Sequence, residues 1–226
     1  MEERDPDFVA KAVEIIELEL HPPTDGPTFC VDEKTGIGVR EPAAPSEAVA
    51  PGRPARREFE YVRHGTAAVL AAFAVQTGQV AGLVRQRHRS AEFIELLRLL
   101  DQQVPPKEVI HLILDPLRMH CSAEVAAYVA YRPWRFRFHW LPLHASWLSF
   151  IEAWFAILTK KCLARSAWAT FTAAATDISA FMDTYNAHQA HPFTWKKGIR
   201  FYQRLKDKLA TQGTDTPTDA ALPCAA

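Results

Sequence analysis

Phe8, Ala12, Val13, Ile15, Ile16 and Leu20 recur at near-helical spacing and predict an amphipathic helix over residues 5–20. His21-Pro22-Pro23-Thr24-Asp25-Gly26-Pro27 ends it. Thr28 to Val31 reads as a short buried strand, with Gly36 and Gly38 marking a turn toward a second one. Residues 41–58, with Pro42, Pro45, Pro51 and Pro54, read as a long exposed loop. Val69–Val75 and Val80–Val84 are strand candidates joined by Gln76-Thr77-Gly78-Gln79, a hairpin signal. Ser90 opens a helix to Gln103 with an apolar stripe of Phe93, Ile94, Leu96, Leu97 and Leu100, and Pro105-Pro106 breaks it. Val109–Leu114 is an apolar run suited to a strand covered on both faces. A helix over Ser122–Tyr131 and a strand over Phe136–Trp140 follow. Helices over Ser146–Leu163, Thr172–His188 and Lys197–Leu209 complete the pattern, with a disordered tail beyond. Strands that later alternate with helices imply an α/β fold: a mixed sheet with parallel members and helices on its faces.

Three acidic residues interrupt this pattern. Asp32 follows Thr28-Phe29-Cys30-Val31, Asp115 follows Val109-Ile110-His111-Leu112-Ile113-Leu114, and Glu152 lies within Trp147-Leu148-Ser149-Phe150-Ile151-Glu152-Ala153-Trp154-Phe155. Ionised carboxylates are rare among such neighbours unless something neutralises them. A shared divalent metal would do so, and Mg2+ needs only a few carboxylates with substrate phosphate and water. Two such ions suit in-line displacement at a phosphodiester. The bland alternatives are a strand-end acid capping a turn for Asp32 and Asp115, and a solvent-facing helix position for Glu152.

At 226 residues, 48% hydrophobic and 23% charged, the chain has the composition of an ordinary globular domain. No apolar run approaches the roughly 18–20 residues that span a bilayer, and the acidic start Met1-Glu2-Glu3-Arg4-Asp5 is not a signal peptide. Four cysteines (30, 121, 162 and 224) show no CxxC spacing and are expected as free thiols in a reducing cytoplasm. The formal net charge is zero but unevenly spread. Residues 1–60 hold 7 Lys/Arg against 14 Asp/Glu, and residues 132–208 hold 12 against 4. A basic C-terminal half suits a phosphate-backbone partner; solvated helical faces are the alternative.

The segment His144-Ala145-Ser146-Trp147-Leu148-Ser149-Phe150-Ile151-Glu152-Ala153-Trp154-Phe155 resembles the one around the last catalytic acid of DDE transposases, in the bacterial insertion-sequence branch related to mariner elements. Cys30-Val31-Asp32-Glu33-Lys34 is similar to that family's first-acid segment and His111-Leu112-Ile113-Leu114-Asp115 to its second. Tyr61-Val62-Arg63-His64-Gly65-Thr66, Tyr185-Asn186 and His191-Pro192-Phe193-Thr194-Trp195 match further stretches, so the resemblance runs over residues 5 to 200. It implies a ribonuclease-H-like, five-stranded mixed sheet flanked by helices, with Asp32 on the first strand, Asp115 ending the fourth and Glu152 on the helix after the fifth. It also implies that these three acids are catalytic and hold Mg2+, with Mn2+ as substitute and two ions in the site. The domain would cover residues 28–209, with an N-terminal helix and linker at 1–27 and a tail at 210–226. The family commonly has Asn where this chain has Pro116, and Asn-Gln where it has Ser149-Phe150.

The implied function is metal-dependent DNA strand cleavage and strand transfer in transposition, in the bacterial cytoplasm beside the nucleoid. DNA is the implied partner and a homodimer stays open; no membrane is involved. The family's N-terminal helix-turn-helix region is not expected in the residues before Asp32, so a recognition domain from another chain is the corresponding expectation. Lys34 and, along the DNA path, Arg87 and His88 are candidate backbone contacts, as are Lys160 and Lys161, which also suit the C-terminal dipole of their helix. His64 and His144 either approach phosphates or make loop hydrogen bonds. Trp147, Trp154, Phe155 and Phe181 are expected in the core. Two rival readings are a catalytically impaired relic that binds DNA or a full-length transposase, and a stand-alone nuclease using the same site.

Overall fold

The apolar runs assemble, in a computed structural model that describes residues 5–44, 52, 60–195 and 199–212, into one sheet with helices on both faces. Its strands are β1 (Thr28–Pro42), β2 (Tyr61–Ala74), β3 (Val80–Arg85), β4 (Ile110–Leu114) and β5 (Phe136–Trp140), in the order β3-β2-β1-β4-β5. β1 pairs antiparallel with β2 and parallel with β4; β2–β3 is antiparallel and β4–β5 parallel. This is the mixed five-stranded α/β sheet expected from the sequence. The helices are α1 (Phe8–Leu20), α2 (Ser90–Gln103), α3 (Ala123–Ala130), α4 (Phe150–Lys161), α5 (Phe171–His188) and α6 (Ile199–Gln212).

Side chains alternate along each strand, so the sheet feeds two cores. Cys30, Val69, Ala71, Phe73 and Ile113 face a core built with α1, α4, α5 and α6. Phe29, Val31, Leu70, Leu112 and Leu114 face the other, closed by α2 and α3. Phe8, Val9, Ala12, Val13, Ile15 and Ile16 are all buried, which makes α1 part of the first core. Each fully buried large apolar side chain contributes about 1.5–3 kcal/mol. None of the described helices is long and apolar enough to cross a membrane.

The structure differs from the sequence expectation at four places. First, β1 does not turn at Gly36 and Gly38. It continues through a bulge between Lys34 and Ile37, where Gly36 takes φ 69°. Second, β2 begins at Tyr61 and not Val69, because the exposed residues Tyr61 to Thr66 pair with Gly38–Pro42 without an apolar face to reveal them. The rest of the expected 41–58 loop largely falls outside the described residues.

Third, the helix expected over Ser146–Leu163 is broken. A single 3-10 turn, Ser146–Leu148, precedes Ser149, whose extended backbone (φ −92°, ψ 132°) starts α4 afresh at Phe150. The apolar spacing runs across the break and so hides it. Fourth, Cys30 and Cys162 are free as expected, but Cys121 is disulfide-bonded. Residues 213–226 of the expected tail lie outside the described residues, and 210–212 continue α6.

Candidate active site

The β1–β4 ladder sets Thr28, Phe29 and Cys30 against His111, Leu112 and Ile113. Continuing that offset two residues sets Asp32, the fifth residue of β1, opposite Asp115, which directly follows the last residue of β4. By alternation both acids share the face of Cys30 and Ile113, the face that α4 covers. Glu152 lies in the first turn of α4 and is exposed. The register thus sets residues 83 positions apart in the sequence on neighbouring strands.

The electrostatics of the three acids are coupled. Burial raises the Asp32 carboxyl to about 7, and the negative charges of Glu33, Asp115 and Glu152 push in the same direction, against the Glu33 N–H that donates to Asp32 Oδ1 at 2.7 Å. Asp115 Oδ1 is buried, and its polar neighbour among the described residues is the His120 ring, 3.2 Å away.

Two residues absent from the sequence reading complete this edge. His120 is fully buried; its Nδ1 donates to the Asp115 carbonyl oxygen at 2.9 Å and lies 3.2 Å from Asp115 Oδ1. Its Nε2 meets Glu33 Oε1 at 2.9 Å, and the Glu33 side chain is only 3% exposed. Both ring nitrogens therefore face acceptors. Burial alone would lower the His120 pKa, but its contacts with Asp115 and Glu33 outweigh burial and hold it at about 10. Nothing in the run Pro116-Leu117-Arg118-Met119-His120 distinguishes this histidine by pattern.

Glu19 was also missed, although a signal was available: it extends the buried stripe Ala12, Ile15, Ile16 by one helical step. Its Oε1 accepts from Cys30 Sγ at 3.2 Å and from Phe150 N–H at 3.1 Å, and its Oε2 accepts from Trp195 Nε1 at 2.7 Å. Ser149 makes no side-chain capping bond at the start of α4, so Glu19 from α1 serves that helix end instead. It fixes the helix that presents Glu152.

The expected DNA contacts divide. Lys34 lies on the Asp32 side of β1, with Nζ 5.9 Å from the centre of the Phe155 ring on α4. Arg87 and His88 are exposed in the turn after β3, two strands from β1 and at the same end of the sheet. Lys160 and Lys161 are exposed in the last turn of α4, the end away from Glu152, and Lys161 donates to Gln189. His64 pairs with Glu41 at 2.9 Å, and His144 is exposed with φ 59°.

Trp154 and Phe155 are core residues as expected and Phe181 is partly buried, but Trp147 is 47% exposed. The 3-10 turn that replaces the expected helix start turns it outward, where its ring meets Phe201 with centroids 5.6 Å apart. A cavity of about 820 Å³ opens here beside Glu152, walled by Trp147, Phe150, Phe193, Trp195 and Phe201. Phe150 packs edge-on to Phe73 and Phe193 and against Trp195. The aromatic at position 150 is matched by partners of its own kind.

Among the described residues no three His, Cys, Asp or Glu side chains form a ready-made metal cage. The expected ligand triad is therefore not preformed in this structure. The donor set nevertheless fits a hard divalent ion. It offers three oxygen-ligand side chains, with the charges of Asp115 and Glu152 acting on a buried Asp32 whose ionised form a cation there would favour.

A family model described as DDE superfamily endonuclease matches residues 27–174, which include all three acids. No curated protein matches the chain. Among solved structures, the pre-cleavage Mos1 transpososome superposes with a TM-score of 0.60 at 14% identity, over 96% of this chain and 65% of that one. The catalytic domain of Mos1 mariner transposase superposes with a TM-score of 0.59 at 12% identity, over 96% and 97% of the two chains. For the Mos1 catalytic domain with Raltegravir and Mg the TM-score is 0.57 at 12% identity, over 96% and 99%. At these identities the likeness is one of fold, and the chain spans about 65% of the Mos1 chain in the transpososome.

Proposed function

Because this chain is a member of the DDE superfamily endonuclease family, we propose that it is the catalytic domain of a transposase. It cuts DNA strands at the ends of a mobile element and joins the freed 3′-hydroxyl to a target. The observation that supports this reading is the β1–β4 register, which extended by two residues pairs Asp32 with Asp115, together with the Glu152 charge that acts on Asp32.

Asp32, Asp115 and Glu152 are the residues that would hold the metal, Mg2+ or Mn2+, as two ions. Bound there, such ions would supply activation of the attacking oxygen and charge neutralisation at the leaving one. The chain's own residues do the positioning. Asp32 and Asp115 are fixed by adjacent strands, and Glu152 by the first turn of a helix that Glu19 holds in place. Lys34, on the Asp32 side of β1, would meet a DNA phosphate, and the basic stretch of residues 132–208 would supply further backbone attraction. Mos1 structures with Mg and with Mn, and a Mos1 complex with a left transposon end, support the same metal and DNA chemistry here. The segment around Glu152 supports a bacterial insertion-sequence element acting at the nucleoid. A homodimer on two element ends and a recognition domain from another chain belong to the same reading.

The test incubates the purified chain with Mn2+ and duplex DNA bearing candidate terminal repeats, beside Asp115→Asn. Strand cleavage by the wild type that Asp115→Asn abolishes supports the proposal. Binding without cutting supports the impaired relic instead, and cutting that survives Asp115→Asn overturns the site assignment.

A further inference from the structure

We infer that His120 and Glu33 are a positioning pair that sets the separation of Asp32 and Asp115, and through it the strength with which the chain holds a divalent metal. The inference rests on the reading of the three acids as metal ligands. The β1–β4 ladder ends at the Cys30–Ile113 pair, two residues before the acids on each strand. Beyond that point no backbone pair ties the two strands, yet this is where their spacing matters for ligands.

The imidazole of His120 supplies the tie. It joins the Asp115 carbonyl oxygen at 2.9 Å to Glu33 Oε1 at 2.9 Å. Glu33 is the neighbour of Asp32 in sequence and points to the opposite face of β1, so the bridge reaches the acids from beneath, where His120 Nδ1 also lies 3.2 Å from Asp115 Oδ1. The Phe93 ring, with its centroid 4.5 Å from that of the imidazole, packs against the bridge from α2. His120 is 0% exposed and Glu33 3%, so neither partner has room to swing away. Pro116 has no N–H with which to anchor the loop after Asp115; the histidine four residues further on contributes the polar anchor. Partners that orient metal ligands in this way change metal affinity by about 10–100-fold when removed.

The experiment measures the rise in melting temperature against Mn2+ concentration for wild type, His120→Gln, Glu33→Gln and the double variant, together with cleavage rate at limiting and at saturating Mn2+. The expected result is a half-saturating Mn2+ concentration about 10–100-fold higher in each single variant. Cleavage is expected to be restored largely by excess Mn2+, and the double variant to be no worse than the poorer single, because one bridge is lost in all three. A lower melting temperature of the metal-free protein with an unchanged Mn2+ half-saturation would make the pair merely structural and overturn the inference. Glu33→Gln removes the charge that holds the bridge with little change in volume, and serves if His120→Gln fails to fold. Asp115→Asn in the same titration separates the two failures. If it abolishes the Mn2+ response while the pair variants leave it unchanged, only the positioning role falls; if it too has no effect, the metal reading falls with it.

Discussion

Asn186 makes with Val80 the two hydrogen bonds that a neighbouring strand would make: its Oδ1 accepts from Val80 N–H at 2.8 Å and its Nδ2 donates to Val80 O at 2.8 Å. β3 is the edge of the sheet, and this side chain of α5 covers the start of that edge. Tyr185-Asn186, a stretch that carries the family resemblance, is thus structural at this position. Tyr185 is buried in the core and Asn186 plugs the strand.

Asn186→Ala should cost about 2 kcal/mol, because it leaves both Val80 groups unmet. Asn186→Asp should cost more, since it turns an acceptor toward Val80 O. Urea unfolding monitored by tryptophan fluorescence reads both.

Glu19 makes stability fall as pH rises. Burial raises its carboxyl from 4.5 to about 7, against the donors Trp195, Cys30 and Phe150 N–H. Between those values the folded protein keeps a proton that the unfolded chain has lost. Unfolding free energy therefore declines from about pH 4.5 and levels off above about pH 7, by about 3 kcal/mol in all. Asp32 adds a decline of the same sign. Glu19→Gln should remove the Glu19 share and flatten the profile, as urea midpoints at about pH 5 and about pH 8 would show.

Arg135 shows how much a single buried cation can hold. It is 1% exposed and donates to Asp101 Oδ1 at 2.8 Å and to the carbonyl oxygens of Asp101, Val104, Pro105 and Glu108. It closes the C-terminal end of α2 and the segment that leads into β4. Arg135→Met should destabilise by about 3–5 kcal/mol, as breaking a buried ion pair does. The exposed neighbour Arg137 is the control, and its substitution should stay within about 0.5 kcal/mol.

Two glycines with positive φ should respond differently to alanine. Gly36 (φ 69°) has open space where a Cβ would go; at Gly78 (φ 74°) a Cβ would come within 1.9 Å of the His191 carbonyl oxygen. Gly36→Ala should cost only the backbone strain, about 1–2 kcal/mol. Gly78→Ala must also push the 191–195 segment off the hairpin, and should lower the melting temperature markedly further.

Much of this architecture is legible in the sequence because burial leaves periodic marks. The fully buried β4 reads as a continuous apolar run, and α2 as a stripe closed by Pro105-Pro106. Asp115 stands out by ending that run. What the sequence hides are contacts made across elements. His120 has no periodic neighbour, and only the fold brings it to Glu33, 87 residues away. The start of β2 is hidden because Tyr61 to Thr66 are exposed, so no alternation marks the strand. Trp147 read as core because its spacing matches Trp154, but the extended backbone at Ser149 rotates the preceding turn outward.

Mn2+ binding followed by electron paramagnetic resonance, for wild type beside Asp32→Asn, Asp115→Asn and Glu152→Gln, addresses the three-acid site most directly. Binding by the wild type that is lost or sharply weakened in each variant, with all four proteins equally folded by circular dichroism, is the expected result. Mn2+ binding of equal strength in all four would mean that the ion sits elsewhere, and would contradict the assignment of Asp32, Asp115 and Glu152 as one metal site.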